Sequence, residues 1–334
     1  MLARILVLCA ALVAFSGVAY AAPMTIKLAY FGGARGQTWT KVMSPWADDV
    51  VAASKGTIKI DKYPGGTLGR NPRAQVKLVL DGVTDIGFFV PSYTPGRFPD
   101  NEVMELPGLI KNSNESGIAI WRLYNKGLLR GYDKFKVLML VTTHPYTMHT
   151  KTPVKSIADL KGMKVRAGGP VAGATIRALG AVPVGMPIPT VAQNISKGII
   201  GGSASDWNVL YAFRIVDVAK HHYMGLLGTV PIGLIMRKEK WNSLPAAAKA
   251  AFNKRSGEVL ARRNGKVNIA VQTALEAKTR KNPAHTFVDL TPAAQRKWDA
   301  TVNPVIDQWV KKHPKGKMLL GALKKELTAI RAGM

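Results

Sequence analysis

The chain has 334 residues, enough for two hydrophobic cores. Its single cysteine, Cys9, excludes a disulfide scaffold and a zinc site built from cysteines. The 47 Lys and Arg against 20 Asp and Glu give a formal net charge of +27. Such a charge suggests an anionic ligand, but the basic residues are scattered and no nucleic-acid-binding motif is present, so we expect no nucleic-acid partner.

The N-terminus has the pattern of a secretory signal peptide. Arg4 precedes an apolar run at 5–15, and Ala19, Tyr20 and Ala21 form an A-x-A cleavage site. The run is too short to cross a bilayer, so stable membrane insertion is not expected. We therefore predict a signal peptide at 1–21 that is cleaved near Ala21, which would also remove Cys9.

Strand and helix patterns alternate after this segment, as in α/β proteins. Trp39, Val42, Met43, Trp46 and Val50 recur at helical spacing and predict an amphipathic helix. The other elements predicted in the first part are strands at 26–30, 57–63, 85–90 and 136–143 and helices at 72–80 and 114–130. The sequence His144-Pro145 is expected to end the strand at 136–143.

A second α/β unit follows from about residue 156. Its predicted elements are a strand at 163–166, a helix at 170–179, a strand, turn and helix within 182–218, and a strand at 230–236. The segment 245–281 contains no proline after Pro245 and predicts one helix about 50 Å long. A helix of that length would run along both domains, and the absence of a Gly/Ser linker favours several chain crossings between them.

No catalytic or metal-binding motif is present. A G-x-S-x-G elbow is absent, and neither His144 with His149 nor His221 with His222 has the spacing of a helical zinc site. The glycine-rich turn at 65–69 lacks the G-K-S/T ending of a phosphate loop. We expect a binding protein, not an enzyme, with no metal and no cofactor.

Six segments in order resemble the solute-binding proteins of tripartite ATP-independent periplasmic (TRAP) transporters. They are YPGGTLG at 63–69, LVLDGVTDIGF at 78–88, ELPGLI at 105–110, SIADLKGMKVRA at 156–167, LGAVPVGMP at 179–187 and WNSLP at 241–245. The resemblance implies a two-domain clamshell with hinge strands and a long domain-spanning helix. It further implies a periplasmic protein that binds an organic acid and delivers it to a membrane permease.

The expected domains are both discontinuous. Domain I comprises 22–145 and 230–265, domain II comprises 146–229 and 266–334, and the ligand cleft lies between them. Because the predicted strands and helices fall in both domains, each is expected to be α/β.

Arg166 resembles the family's carboxylate-binding arginine, and a guanidinium matches a carboxylate bidentately. Other expected ligand contacts are hydrogen bonds from Tyr146 and Ser205, stacking on Phe31 and Trp207, and apolar contacts with Val90 and Ile188. One cation with apolar surroundings predicts an aromatic or hydrophobic monocarboxylate, since buried ligand hydroxyls would lack partners there.

Two alternatives remain open. A C4-dicarboxylate ligand would need a second cation, for which Arg70 and Arg97 are candidates. The same pocket would also serve a sensory protein that presents its ligand to a receptor.

Overall fold

The computed structural model describes residues 22–334, so the predicted signal peptide lies outside the described residues. The described strands are β1 (Met24–Ala29), β2 (Ile58–Tyr63), β3 (Ile86–Phe89), β4 (Phe135–Thr142), β5 (Thr147–Thr150), β6 (Lys164–Ala167), β7 (Val182–Gly185), β8 (Gly202–Ser205), β9 (His221–Tyr223), β10 (Pro231–Arg237) and β11 (Thr286–Val288). The described α-helices are α1 (Ser44–Ala53), α2 (Gln75–Leu80), α3 (Ser113–Asn125), α4 (Pro170–Ala178), α5 (Val191–Ser196), α6 (Trp207–Ala212), α7 (Lys238–Ser243), α8 (Ala246–Arg255), α9 (Glu258–Arg280), α10 (Pro292–Val302), α11 (Pro304–Lys312) and α12 (Gly316–Arg331).

The first sheet has the strand order β2-β1-β3-β10-β4. Strand β1 pairs in parallel with β2 and β3, whereas β10 pairs antiparallel with β3 and β4. The sequences of β3 (IGFF) and β4 (FKVLMLVT) are almost continuously apolar, and nearly every residue in them is buried. This pattern arises because helices cover both faces of the sheet.

The second sheet has the order β11-β9-β5-β8-β6-β7. Strand β6 is parallel to β7 and β8, and β5 is antiparallel to β8 and β9. The chain passes from the first sheet to the second between β4 and β5, at His144 and Pro145, and returns between β9 and β10. The cleft lies where these connections join the two sheets.

The predicted helix at 245–281 is divided into α8 and α9, so that prediction is wrong in its length. Gly257 separates them with a φ of 70°, a left-handed conformation that favours glycine. A Cβ at Gly257 would lie 2.7 Å from the Trp121 ring. Helix α9 has 23 residues, about 35 Å, and contacts α3 beside the first sheet and α6 beside the second. It therefore still spans both domains.

The C-terminal helix lies beside the first sheet, and the expected domain bounds, with 266–334 in domain II, stay a prediction. Helix α12 packs against α3, beside the first sheet. Arg331 donates to the buried Glu115 carboxylate at 2.8 Å, and the buried Glu326 carboxylate pairs with Lys126. These ion pairs and an apolar cluster that includes Leu319 and Leu323 attach the end of the chain to α3 and its neighbours.

Candidate functional site

A cavity opens between the two sheets at the carboxyl ends of their parallel strands. Phe31 follows β1, Val90 follows β3 directly, and Ile188 follows β7. Open α/β sheets form ligand crevices at this edge because the strands end there and the connections separate. The cavity residues are Tyr30, Phe31, Gln37, Thr38, Val42, Phe88, Val90, Tyr93, Thr143, Tyr146, Ile188, Asp206, Asn208, Val209, Ala212, Phe213, Val230, Ile232, Asn264, Val267, Asn268 and Val271.

One wall of the cavity is aromatic. The rings of Phe31 and Phe88 lie 5.4 Å apart, and Tyr30 contacts both of them. Tyr30 also stacks on Trp39 at 5.7 Å, with the two rings nearly parallel. Because these rings support each other, they form a preorganised surface on which a flat apolar ligand can pack.

Arg166 lies immediately behind the cavity wall. Its side chain is 2% exposed and is not among the residues that line the cavity. Nε donates to the Met186 carbonyl at 3.1 Å and Nη2 donates to the Tyr93 hydroxyl at 2.7 Å. Nη1 is buried without a hydrogen-bond partner. A buried guanidinium with an unused donor is costly unless an acceptor completes it.

Tyr93 joins Arg166 to the cavity. It follows β3 in the first sheet, while its hydroxyl accepts from Arg166 and from the Ile188 backbone N–H at 3.1 Å, both beside the second sheet. Within residues 22–334, no protein group accepts a hydrogen bond from the Tyr93 hydroxyl. This proton is therefore available to an acceptor in the cavity. Sequence reasoning missed Tyr93, whose only signal is a tyrosine just beyond a buried strand.

Tyr146 lines the same part of the cavity. Its backbone N–H donates to the Gly228 carbonyl, which fixes the segment between β4 and β5. Burial raises the pKa of the Tyr146 phenol well above its usual range. The phenol therefore remains protonated and can act as a hydrogen-bond donor at physiological pH.

Asp206 holds the N-terminus of α6 at the cavity edge. Its carboxylate accepts from the backbone N–H of Val209 at 2.7 Å and of His144 at 3.0 Å. Burial raises the pKa of Asp206 to about 6, although these hydrogen bonds oppose the shift. Asp206 thus ties α6 to the crossing between β4 and β5.

Ser205 and Trp207 do not line the cavity. The Ser205 hydroxyl donates to the Ala204 carbonyl and contacts the Ser203 hydroxyl inside β8. The Trp207 ring packs between the rings of His149, His222 and Phe287. Their expected contacts with a ligand have no geometric support here, because both side chains are engaged in the interior of the second sheet.

Three histidines form a hydrogen-bonded chain beside Trp207. Nδ1 of His149 lies 2.8 Å from Nδ1 of His222, and Nε2 of His222 lies 2.9 Å from Nδ1 of His285. Lys220 can only donate at one end of this chain and the Ser205 carbonyl can only accept at the other, so neutral rings satisfy every link. Burial lowers the pKa of His149 to about 4 and that of His222 to about 2.

Glu105 is a buried carboxyl between the two domains. It is 3% exposed, its Oε2 has no hydrogen-bond partner, and a Cβ at Gly169 would lie 2.8 Å from that atom. Burial and the nearby Glu102 charge raise the pKa of Glu105 to about 8, although the Arg166 charge opposes the shift. Glu105 is therefore mostly protonated at neutral pH.

Helix α9 contributes a polar surface to the cavity, formed by Asn264 and Asn268. Asn264, Val267, Asn268 and Val271 share one helical face, and all four line the cavity. Sequence reasoning missed this surface. Its signal is the pair of asparagines on an otherwise apolar helix face, where unpaired amides are costly.

No second cation joins Arg166 at the cavity within residues 22–334, because the cavity lining there contains neither Lys nor Arg. Arg70 is exposed, and Arg97 lies over the Phe135 ring at 5.8 Å. Neither candidate for a second carboxylate contact therefore reaches the cavity.

The described residues also contain no group of His, Cys, Asp and Glu that could hold a metal ion. Across 22–334, no helix combines the length and apolar character needed to cross a membrane.

Comparison with known proteins identifies the family. The model of the bacterial extracellular solute-binding proteins, family 7 (DctP), matches residues 30–313. The chain belongs to this family. It is 26% identical over 269 residues to the C4-dicarboxylate-binding periplasmic protein DctP of Rhodobacter capsulatus, covering 76% of this chain and 77% of that protein.

Solved structures of TRAP solute-binding proteins share the whole fold. One from a marine metagenome, specific for aromatic acid ligands and in complex with 3-hydroxybenzoate, is 30% identical with a TM-score of 0.86, covering 92% of this chain and 98% of that one. One from Rhodoferax ferrireducens T118, in complex with copurified benzoate, is 28% identical with a TM-score of 0.87, covering 93% and 100%. The predicted membership in the TRAP solute-binding class and the two-domain fold are confirmed.

Proposed function

We propose that this family 7 protein is exported to the periplasm, where it binds an aromatic monocarboxylate and delivers it to a TRAP membrane permease. The ligand class is inferred from the cavity lining. One wall of the cavity is aromatic, and its described lining residues include no lysine and no arginine. A second carboxylate would enter an apolar surface without a counter-charge, which is costly. The relatives with 3-hydroxybenzoate and benzoate support the same class.

The carboxylate is held at the Tyr93 end of the cavity. Tyr93 and Tyr146 offer hydroxyl protons, and the Arg166 charge lies directly behind Tyr93. The ring packs on Phe31 and Phe88, with Val90 and Ile188 completing the apolar surface. Because Tyr93 belongs to the first domain and Arg166 to the second, a ligand at this point stabilises the closed cleft.

A binding screen tests the proposal. The mature chain is titrated calorimetrically with benzoate, 3-hydroxybenzoate, succinate and malate. We expect micromolar or tighter binding of at least one aromatic acid and at least tenfold weaker binding of the dicarboxylates. Tight binding of succinate or malate without binding of either aromatic acid would favour the dicarboxylate function that the name of the Rhodobacter capsulatus relative indicates.

Export and delivery need separate measurements. The N-terminus of the protein purified from the periplasm should begin at or near Ala22 if the signal peptide is cleaved as predicted. Uptake of the bound acid by cells that carry the protein together with its permease should stop when the gene of the binding protein is deleted.

A further inference from the structure

The polar surface on α9 distinguishes this cavity from a purely apolar one. Asn264 is 3% exposed and Asn268 is 8% exposed, and both face the cavity together with Val267 and Val271. Two asparagines on the buried face of a helix are unfavourable both for helix formation and for desolvation. The amides of such residues therefore need polar partners.

The two asparagines differ in their partners. Asn268 Oδ1 accepts from Gln272 Nε2 at 2.9 Å, and Gln272 Oε1 in turn accepts from the Trp207 backbone N–H at 2.7 Å. Asn268 is thus fixed by the protein itself. Asn264 Nδ2, in contrast, is buried without any hydrogen-bond partner.

A matching unpaired acceptor lies elsewhere in the same cavity. Gln37 Oε1 is buried without a partner, at the start of the short helix that leads into α1. Its neighbour Thr38 accepts from Asn208 Nδ2 at 3.1 Å, so the adjacent polar groups are already paired. Within the described residues, Asn264 therefore offers an unused donor and Gln37 an unused acceptor, in addition to the Tyr93 hydroxyl proton that faces the ligand carboxylate.

We propose that Asn264 and Gln37 recognise a second polar substituent of the ligand, and that the preferred ligands are ring-hydroxylated aromatic monocarboxylates. A hydroxyl both accepts and donates hydrogen bonds, so it can satisfy either unused atom. An amino group lacks a good acceptor lone pair on an aromatic ring, and a second carboxylate would face the Gln37 carbonyl oxygen. This inference rests on the proposed function and adds the substituent that the ring carries.

The expected preference follows from the cost of unpaired buried groups. A site that pairs with a ligand hydroxyl discriminates strongly against the analogue that lacks it, because its own polar atoms are then left without partners. We expect the wild-type protein to bind 3-hydroxybenzoate or 4-hydroxybenzoate at least tenfold more tightly than benzoate. Whichever of the two isomers, 3-hydroxybenzoate or 4-hydroxybenzoate, binds more tightly indicates where Asn264 and Gln37 lie relative to the ring.

Substitutions test whether Asn264 and Gln37 cause the preference for hydroxylated acids. Asn264→Leu and Gln37→Leu keep approximately the side-chain size and remove the amide, so each should reduce the preference for the hydroxylated acid by at least fivefold while benzoate still binds. Asn253→Leu is the matched control, because Asn253 is an exposed asparagine on α8 outside the cavity. It should leave both affinities unchanged.

The outcomes separate the two proposals. If no aromatic acid binds, the proposed function itself fails. If benzoate and both hydroxybenzoates bind the wild-type protein equally, ordered water satisfies the two amides and the present inference is overturned. If Asn264→Leu does not fold, the inference is still tested by the ligand preference of the wild-type protein and by the Gln37→Leu variant, which lies on a separate element.

Discussion

Replacing Glu105 by glutamine should change the stability of the protein in a strongly pH-dependent way. Glu105 is nearly fully buried between the domains, and its pKa is raised from 4.5 to about 8. In the unfolded chain the carboxyl ionises near its usual pKa, so folding favours the protonated form. The contribution of Glu105 is therefore fully present below pH 4.5 and is lost as the pH rises through about 8.

The magnitude follows from the width of this interval. Each pH unit between the unfolded and the folded pKa changes the free energy of unfolding by about 1.4 kcal/mol per group. Between pH 5 and pH 8 the wild-type protein should therefore lose up to about 4 kcal/mol relative to Glu105→Gln, which carries no ionisable group. At pH 5 the two proteins should differ by less than about 1 kcal/mol, because a neutral carboxyl and an amide are nearly isosteric.

Urea unfolding at pH 5, 6, 7 and 8 measures this difference directly, since the effects of all other titrating groups cancel between the two proteins. Glu239→Gln, which removes a carboxyl at an exposed position on α7, is the matched control variant. A constant difference between Glu105→Gln and the wild type from pH 5 to pH 8 would refute the assignment of Glu105 as a buried neutral acid.

Four further results are expected. Arg166→Lys should weaken binding of the aromatic acid at least tenfold, about 1.4 kcal/mol. The reason is that lysine lacks the planar donor set that reaches both Met186 and Tyr93. If calorimetry gave an unchanged affinity, Arg166 would not belong to the site. Tyr93→Phe should weaken binding by a similar factor, as it deletes the hydroxyl that contacts Arg166 and the Ile188 N–H. In an NMR titration His149 and His222 should stay neutral at pH 5.5, since burial lowers both pKa values to about 4 or below. Gly228→Ala should destabilise the fold by about 3 kcal/mol or more, because its Cβ would lie 1.8 Å from the Glu105 carbonyl oxygen.

Matched controls accompany these variants. Tyr63→Phe, on the edge strand β2, should leave ligand affinity unchanged, so a similar loss in both tyrosine variants would contradict a specific role of Tyr93. Gly185→Ala should be nearly neutral, since a Cβ there meets no atom within 4 Å. Equal stability losses at Gly185 and Gly228 would show that the close approach at Gly228 does not decide the outcome.

The main strands and helices were predictable because their hydrophobic patterns are strong. The apolar run around β4 and the Trp39 to Val50 periodicity both correspond to elements of the structure. Strands β5, β9 and β11 were missed, since each has only three or four residues and shows too little alternation to predict a strand. The break between α8 and α9 was also missed, although Gly257 marked it, because a single glycine is often tolerated within a helix.

The candidate site was predictable where local sequence determines position. Phe31, Val90 and Ile188 follow strands, and residues that follow parallel strands meet at one edge of a sheet. The placement of Trp207 was not predictable, because it depends on His149 and His222, which are distant in sequence. Tyr93 and Asn264 were missed for the same reason, as their roles depend on side chains from other elements.

The central position of β10 in the first sheet has a consequence for the order of folding. This strand lies between β3 and β4, yet it begins at Pro231, long after both of its neighbours have been synthesised. Until it arrives, β3 and β4 each present an unpaired apolar edge, and the N-terminal domain cannot complete its core. The growing chain therefore cannot complete its first sheet before residue 237 has been synthesised, so the first domain should acquire its native structure late.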